Sequence, residues 1–224
     1  MKRAVIIVAA GSGSRMGGKL PKQFLDLAGK PLIVHTLERF HSFDPGMKVV
    51  VVLAPDRRDL WEQKVHLPEV FFDIILADGG SSRFDSVRSG LKHMEDGILV
   101  GIHDAVRPFV SMLTLERCYA AAADKGSGIP VVEMEDSVRL LEQQGGSLAM
   151  DRSRLVRVQT PQVFKSELIK KAYQQAYKMA FTDDASVYES EYRQLSLVEG
   201  NSENIKITTP TDLKLASLLM GSVE

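Results

Sequence analysis

Apolar positions along this chain follow two alternating rhythms. Short runs that are apolar on both faces recur, and between them lie stretches where apolar residues return every third or fourth position. The runs at 3–9, 48–54, 71–77, 99–103, 128–132, 155–159 and 194–199 read as strands. The helical period predicts helices over 31–40, 57–64, 84–93, 112–123, 165–177, 184–191 and 211–219. Thr209 and Pro210 mark the start of the last helix, as a cap residue and a first-turn proline. A strand apolar on both faces must be covered on both sides, and strand–helix alternation through residue 125 predicts a mostly parallel sheet.

The rhythm changes between residues 133 and 157. Two short alternating runs flank "QQGG", which predicts a β-hairpin arm. A hairpin alone is marginal in water, so this one packs either on its own core or on a second subunit. The expected architecture is therefore α/β. Residues 1–224 form a single Rossmann-like domain with a mostly parallel central sheet flanked by helices, and a β-hairpin arm protrudes at 133–157.

Composition narrows the chemistry more than the fold. The formal net charge is −1, so no global basic field recruits nucleic acid or an anionic membrane. Any anion site must come from local clustering of the 28 lysines and arginines. Cys118 is the only cysteine, which rules out an intramolecular disulfide and a cysteine zinc cluster; in "LERCYAAA" it reads as a small buried position on a helix. The histidines (35, 41, 66, 93 and 103) show no metal-ligand spacing. The opening apolar run, 4–10, stops at Gly11 and Arg15, so it reads as a buried strand rather than a signal peptide or membrane span. A cytoplasmic location is expected.

The stretch "AAGSGSRMGGKLPKQF", 9–24, carries the strongest chemical signal. As a dinucleotide fingerprint it fails at the third glycine, which is Met16, and no acidic residue closes the second strand in the right place. As a P-loop it matches Gly13, Gly18 and Lys19, but Leu20 brings no hydroxyl for Mg²⁺ and Pro21 opposes a helix there. A third reading takes the stretch as one device. Small residues from Ala10 to Ser14, Gly11 and Gly13 among them, let backbone amides approach a polyphosphate. Arg15 adds a planar fork for phosphate oxygens and Lys22 a compact point charge from the far side, a pairing suited to a nucleoside triphosphate that is both bound and attacked.

Two further segments end predicted strands. In "GGSSRFDSV" two glycines permit close approach to a base, and Ser86 can bond to its exocyclic group; helix capping is the competing role for Ser81 and Ser82, and Arg83 is either a bracket or a base contact. In "HDAVRP" Asp104 stands where open α/β sheets bind ligands, with a ribose, another sugar or Mg²⁺ open to it and a buried acid capping a neighbouring loop as the competing role; Arg107 can pair with Asp104 or nearby carbonyls.

The order A-A-G-x-G-x-R-M, then P-K-Q, resembles the nucleotidyltransferases that activate sugar phosphates. Five more pieces narrow the resemblance: "DGGSSRFDSVRSGL", "HDAVRPFV", "DRSRLVRVQTPQVF", "FTDDASVYE" and "VEGNSENIKITTPTDL". With them, essentially the whole chain is similar to the 2-C-methyl-D-erythritol 4-phosphate cytidylyltransferase family. Val8 departs from members that have proline there, which removes no chemical group.

The resemblance implies transfer of a cytidylyl group from CTP to a polyol phosphate in isoprenoid biosynthesis. It assigns Arg15 and Lys22 to the transition state at the α-phosphate. It sets Gly80, Ser81 and Ser86 on one side of cytosine and Ala9, Ala10 and Gly11 on the other, with Asp104 and Ala105 against nucleotide and acceptor. Arg107 falls on the acceptor side. Arg152 and Lys206 clamp the acceptor phosphate, with Ser137, Thr160 and Thr182 as hydroxyl partners. The arm embraces a second subunit, making a homodimer in which Arg152 acts across the interface. Mg²⁺ bridges the triphosphate; the phosphates supply most of its ligands, and Asp104 is a possible contributor. The alternatives are a ribitol 5-phosphate cytidylyltransferase, disfavoured by "AAGSGSRM" and "RFDSV", a P-loop GTPase or kinase, and a catalytically silent nucleotide-binding module.

Overall fold

In the computed structural model the chain opens with β1 (Arg3–Ala9), passes through a small hairpin of β2 (Asp26–Leu27) and β3 (Lys30–Pro31), and enters α1 (Leu32–Phe43). The structure describes residues 1–11, 20–68, 71, 73–143 and 145–221. Strands and helices then alternate: β4 (Lys48–Leu53), α2 (Arg58–Lys64), β5 (Ile74–Asp78), α3 (Arg83–Leu91), β6 (Leu99–Asp104), α4 (Met112–Lys125) and β7 (Ser127–Glu133). The arm follows as β8 (Val138–Leu141) and β9 (Ser147–Met150). The chain finishes with β10 (Val156–Val158), β11 (Gln162–Lys165), α5 (Ser166–Ala172), α6 (Asp184–Tyr192), β12 (Leu197–Glu199) and α7 (Pro210–Met220).

The main sheet runs β5-β4-β1-β6-β11-β7-β10, with β12 paired to β7. β5, β4, β1 and β6 are parallel neighbours, as the alternation predicts. The apolar runs of β4, β1 and β6 are buried on both faces, and that of β5 at the sheet edge is half-buried. Val5 and Ile7 pack with Phe40 of α1 and Leu115 and Tyr119 of α4, whereas Ile6 and Val52 face Phe84 and Val87 of α3 and Ile169 of α5. Burying each such side chain contributes about 1.5–3 kcal/mol, so the centre of the sheet carries much of the core's stabilisation. Its carboxyl edge is the platform for the site. Cys118 is fully buried on α4, and that burial pushes its thiol up to about 12. α4 starts on a Ser111 cap and stops at Gly126, whose φ of 90° a side chain would resist.

Several features depart from the sequence reading, the short β2–β3 hairpin among them. β11 was not expected; it is four residues long and antiparallel to both β6 and β7, and it is held by burial of Val163 and Phe164 between them rather than by any local pattern. The helix expected over 165–177 ends at Ala172, where Tyr173 turns inward to stack on Phe84 at 4.7 Å. β5 begins at Ile74 rather than 71. The arm is present as a hairpin, turned by Gly145 and Gly146 at φ 88° and 105°. β8 and β9 form a separate two-stranded sheet whose Leu140, Leu141 and Leu148 are 54 %, 80 % and 54 % exposed. Its leucines are therefore at most half covered by the described residues of their own chain. No helix among those residues is long and apolar enough to cross a membrane.

Candidate active site

β1 ends at Ala9, and Ala9, Ala10 and Gly11 line a cavity of about 430 Å³ at the carboxyl edge of the sheet. That volume lies in the range of small-ligand sites. Gly80, Ser81 and Ser86 line it beyond the end of β5; Asp104 and Ala105 line it at the end of β6. Lys22, half-buried in the turn Lys22–Phe24, and Lys206, ahead of α7, bring positive charge to the same space. Ten predicted residues thus meet in one cavity. Gly13, Ser14, Arg15 and Lys19 lie outside the described residues.

Gln23 shares the cavity, and its only signal in the sequence is its place beside Lys22. It is 2 % exposed, and its Nε2 donates to the Ala9 carbonyl at 2.6 Å, tying the Lys22 turn to the end of β1. Gly79 carries a second unforeseen constraint. A Cβ there would sit 2.4 Å from the Ala10 Cβ, so only glycine lets the β5 loop close on the β1 loop.

The predicted base wall is more tightly wired than the sequence implies. Ser86 Oγ donates to the Ser82 carbonyl at 2.9 Å and accepts from the Gly80 amide at 3.2 Å. Its proton is committed, which leaves one lone pair that can accept from an amine. Ser82, not Ser81, caps α3 by accepting from the Asp85 amide. The Ser81 and Ser82 hydroxyls both donate to Asp85 Oδ2, at 2.9 and 2.7 Å. Those bonds hold the Asp85 carboxyl below its ordinary range. The Ser81 hydroxyl is thus engaged with Asp85, although the residue lines the cavity.

Asp104 is the electrostatic centre. Its Oδ2 meets Lys206 Nζ at 2.9 Å and Arg107 Nε at 3.4 Å, and its Oδ1 faces Arg83 Nε at 3.8 Å. Burial alone would push this carboxyl up; Arg83, Lys206 and Arg107 overcome burial and hold it well below the usual carboxylate range. Arg107 is largely spent inside the protein, since its Nη1 also donates to the Asn204 carbonyl at 2.7 Å. Of the roles open to it, pairing with Asp104 is the one seen here.

Thr160 braces the same carboxylate from behind. It is 5 % exposed, its Oγ1 accepts from the Asp104 amide at 3.1 Å, and its proton points at His103 Nδ1 at 3.1 Å. Through these two bonds Thr160 holds the end of β6 at Asp104. His103 is then the tautomer that donates from Nε2 to the Arg107 carbonyl at 3.0 Å. Burial lowers its pKa from 6.5 to about 4. The unfolded chain takes up that proton below about pH 6.5 while the folded chain resists until about pH 4, so stability drops as pH falls through this window. Thermal unfolding is expected to show a loss of about 3 kcal/mol across it; His103→Gln, scanned from pH 7 to 4, is expected to lose most of that slope.

The remaining predicted residues lie elsewhere on the chain. Ser137 and Arg152 sit on the exposed arm, where Arg152 Nη1 donates to the Glu135 carbonyl. Thr182 is exposed just ahead of α6. None of the three lines the cavity of their own chain.

A model of one family, described as IspD, 2-C-methyl-D-erythritol 4-phosphate cytidylyltransferase, matches residues 3–222. The chain belongs to this family. A relative from Phocaeicola vulgatus bearing the same name is 48 % identical over 220 residues, covering 98 % of this chain and 100 % of its own. Another, from Geobacillus thermodenitrificans, is 38 % identical over 224 residues, covering 99 % and 98 %. Among solved structures, the 4-diphosphocytidyl-2C-methyl-D-erythritol synthase of Anaerococcus prevotii superposes with a TM-score of 0.84 at 25 % identity, over 98 % of both chains. The 2-C-methyl-D-erythritol 4-phosphate cytidylyltransferase of Thermus thermophilus does so at 0.77 and 30 %, over 98 % of both. Family membership makes the chain a nucleotidyltransferase acting on a sugar phosphate and favours the methylerythritol reading over its ribitol 5-phosphate sister.

Proposed function

We propose that the cavity binds CTP and 2-C-methyl-D-erythritol 4-phosphate together and joins them to 4-diphosphocytidyl-2-C-methyl-D-erythritol. An oxygen of the acceptor phosphate bonds to the α-phosphorus of CTP in line with the bond to the β-phosphate, which breaks, and pyrophosphate leaves with the electron pair. The acceptor is already an oxyanion, so the protein needs no nucleophile of its own. Its work is to position two anions and to neutralise charge at the α-phosphate. The observation that carries this reading is the convergence of Lys22, the Ala9–Ala10–Gly11 backbone and the Asp104–Lys206 pair on one cavity.

Each group takes a part. Ala9, Ala10 and Gly11 bear on one side of cytosine, and Gly80 with Ser81 backbone on the other, with Ser86 accepting from the exocyclic amine. Arg15 and Lys22 hold the α-phosphate as its charge rises. Lys206 leaves Asp104 for the acceptor phosphate, an exchange of one anion for a more strongly charged one. Thr182 approaches the same phosphate from the start of α6.

Mg²⁺ is expected to enter with the triphosphate. Among the described residues no group of three or more His, Cys, Asp or Glu side chains is placed to hold a metal ion, and three cations already surround Asp104. Such a set suits an ion carried largely on phosphate oxygens. When bound, it would offset the charge of the phosphates, with Asp104 the protein group nearest to hold it.

The exposed leucines of the arm support a homodimer in which the partner's cavity receives Arg152 and Ser137. In that arrangement Lys206→Ala and Arg152→Ala raise the KM for the sugar phosphate and largely spare that for CTP. Mixing Arg152→Ala with Lys22→Ala protein then rebuilds one intact site per heterodimer, restoring about a quarter of wild-type activity in a random mixture. Activity no higher than that of the parents would place Arg152 in its own chain's site or in none. The reaction itself is tested by label: phosphorus-32 at the α position of CTP must appear in the sugar product, and label at the γ position in pyrophosphate. α-Label released as free CMP without acceptor would overturn the reading.

A further inference from the structure

We propose that Asp184, which lies outside the cavity, acts through Arg83 to keep one oxygen of Asp104 available to a hydroxyl of the sugar phosphate. The inference rests on the reaction proposed above and adds a positioning residue to it.

Arg83 stands between two carboxylates. It donates from Nη1 to Asp184 Oδ1 at 2.8 Å and from Nη2 to Asp184 Oδ2 at 2.6 Å, a bidentate fork. Its third nitrogen, Nε, faces Asp104 Oδ1 at 3.8 Å, close enough to attract but too far for a hydrogen bond. The other Asp104 oxygen is taken by Lys206 and Arg107. Among the described residues, Asp104 Oδ1 accepts no hydrogen bond, although its residue lines the cavity.

The distance of 3.8 Å is held from the far side. Asp184 is fully buried and also accepts from the Tyr173 hydroxyl at 2.6 Å. Its backbone sits in the first turn of α6, which Asp183 closes with a capping box. That turn is bound to β11: Gln162 Nε2 donates to Asp183 Oδ2 at 2.8 Å, and Gln162 Oε1 accepts from the Ala185 amide at 2.7 Å. The guanidinium thus has a fixed anchor behind it and a second carboxylate in front. Weakening the anchor would let attraction carry the guanidinium onto Asp104 Oδ1 and fill the position where a substrate hydroxyl binds. Burial alone would lower the Arg83 pKa; Asp184 foremost, with Asp104, raises it above its ordinary value, so the fork stays charged throughout.

Asp184→Asn keeps the shape and removes the charge. The KM for the sugar phosphate is expected to rise roughly fivefold or more, as for loss of one hydrogen bond, with the KM for CTP and the kcat little changed. Tyr173→Phe keeps the ring on Phe84 and loosens Asp184 more gently; it should shift the same KM by a smaller factor, and it serves if Asp184→Asn fails to fold. In an Arg83→Met background, Asp184→Asn should change the sugar phosphate KM no further, because its route of action is gone. Variants that melt earlier yet keep wild-type KM values overturn the inference and leave the reaction standing, since wild-type protein measured alongside still turns over. A wild-type protein inactive with both substrates takes the reaction and the inference down together.

Discussion

Lys22→Ala is expected to lower kcat by roughly a hundredfold or more, the scale on which a single preorganised charge or donor acts on a developing anion. Lys22 lines the cavity from a turn with two fixings: Pro21 stiffens its approach, and Gln23 beside it is bonded to the Ala9 carbonyl. The turn therefore survives truncation of the side chain, and the loss falls on charge rather than on fold. CTP should still bind, because the backbone around Ala9, Gly11 and Gly80 and the Ser86 hydroxyl remain. The KM for CTP should accordingly change much less than kcat. Arg15→Ala is expected to lose more than tenfold by the same logic. Retention of turnover within about threefold in both variants would remove the glycine-rich loop from the chemistry.

Asp104→Ala is expected to combine the largest loss of stability with a loss of acceptor binding. The carboxylate is 7 % exposed and compensates Arg83, Arg107 and Lys206 at once. Its removal leaves three neighbouring cations facing one another, and breaking a buried pair typically costs about 3–5 kcal/mol. Arg83 retains Asp184 and Lys206 is partly solvated, so about 2–4 kcal/mol is the expected loss, several degrees in Tm. The pH dependence separates this effect from that of His103. A carboxyl whose pKa falls on folding contributes stability above its unfolded value and loses it as pH drops toward the folded one. Wild type and Asp104→Ala should therefore differ by a constant amount from pH 5 to 8 and converge only in stronger acid. A difference that shrinks near neutrality would mean that the carboxylate is not held by its three cations.

The sequence made the platform legible because the central strands are apolar on both faces. Runs such as "AVIIV" and "KVVVVL" can sit only inside a covered parallel sheet, and β1 and β4 start where the pattern places them. The cavity's glycines were equally legible: Gly11 and Gly80 both line it. What the pattern could not reveal depends on contacts distant in sequence. β11 forms only because β6 and β7 flank four residues. Arg83 meets Asp184 across 101 positions, and Thr160 meets Asp104 across 56. The roles of hydroxyls were the least accessible, since a threonine that binds phosphate and one that braces a carboxylate read alike along the chain. Glycine constraint at position 79 was hidden for a similar reason: its partner, Ala10, belongs to another loop.

The central claim is that this cavity joins one nucleotide to one class of acceptor, and pyrophosphate release measures it most directly. The four nucleoside triphosphates, each with Mg²⁺, are crossed against a panel of sugar and polyol phosphates that includes 2-C-methyl-D-erythritol 4-phosphate and ribitol 5-phosphate. Release confined to CTP with 2-C-methyl-D-erythritol 4-phosphate is the predicted result. Release with ribitol 5-phosphate alone, or in no combination at all, would contradict it.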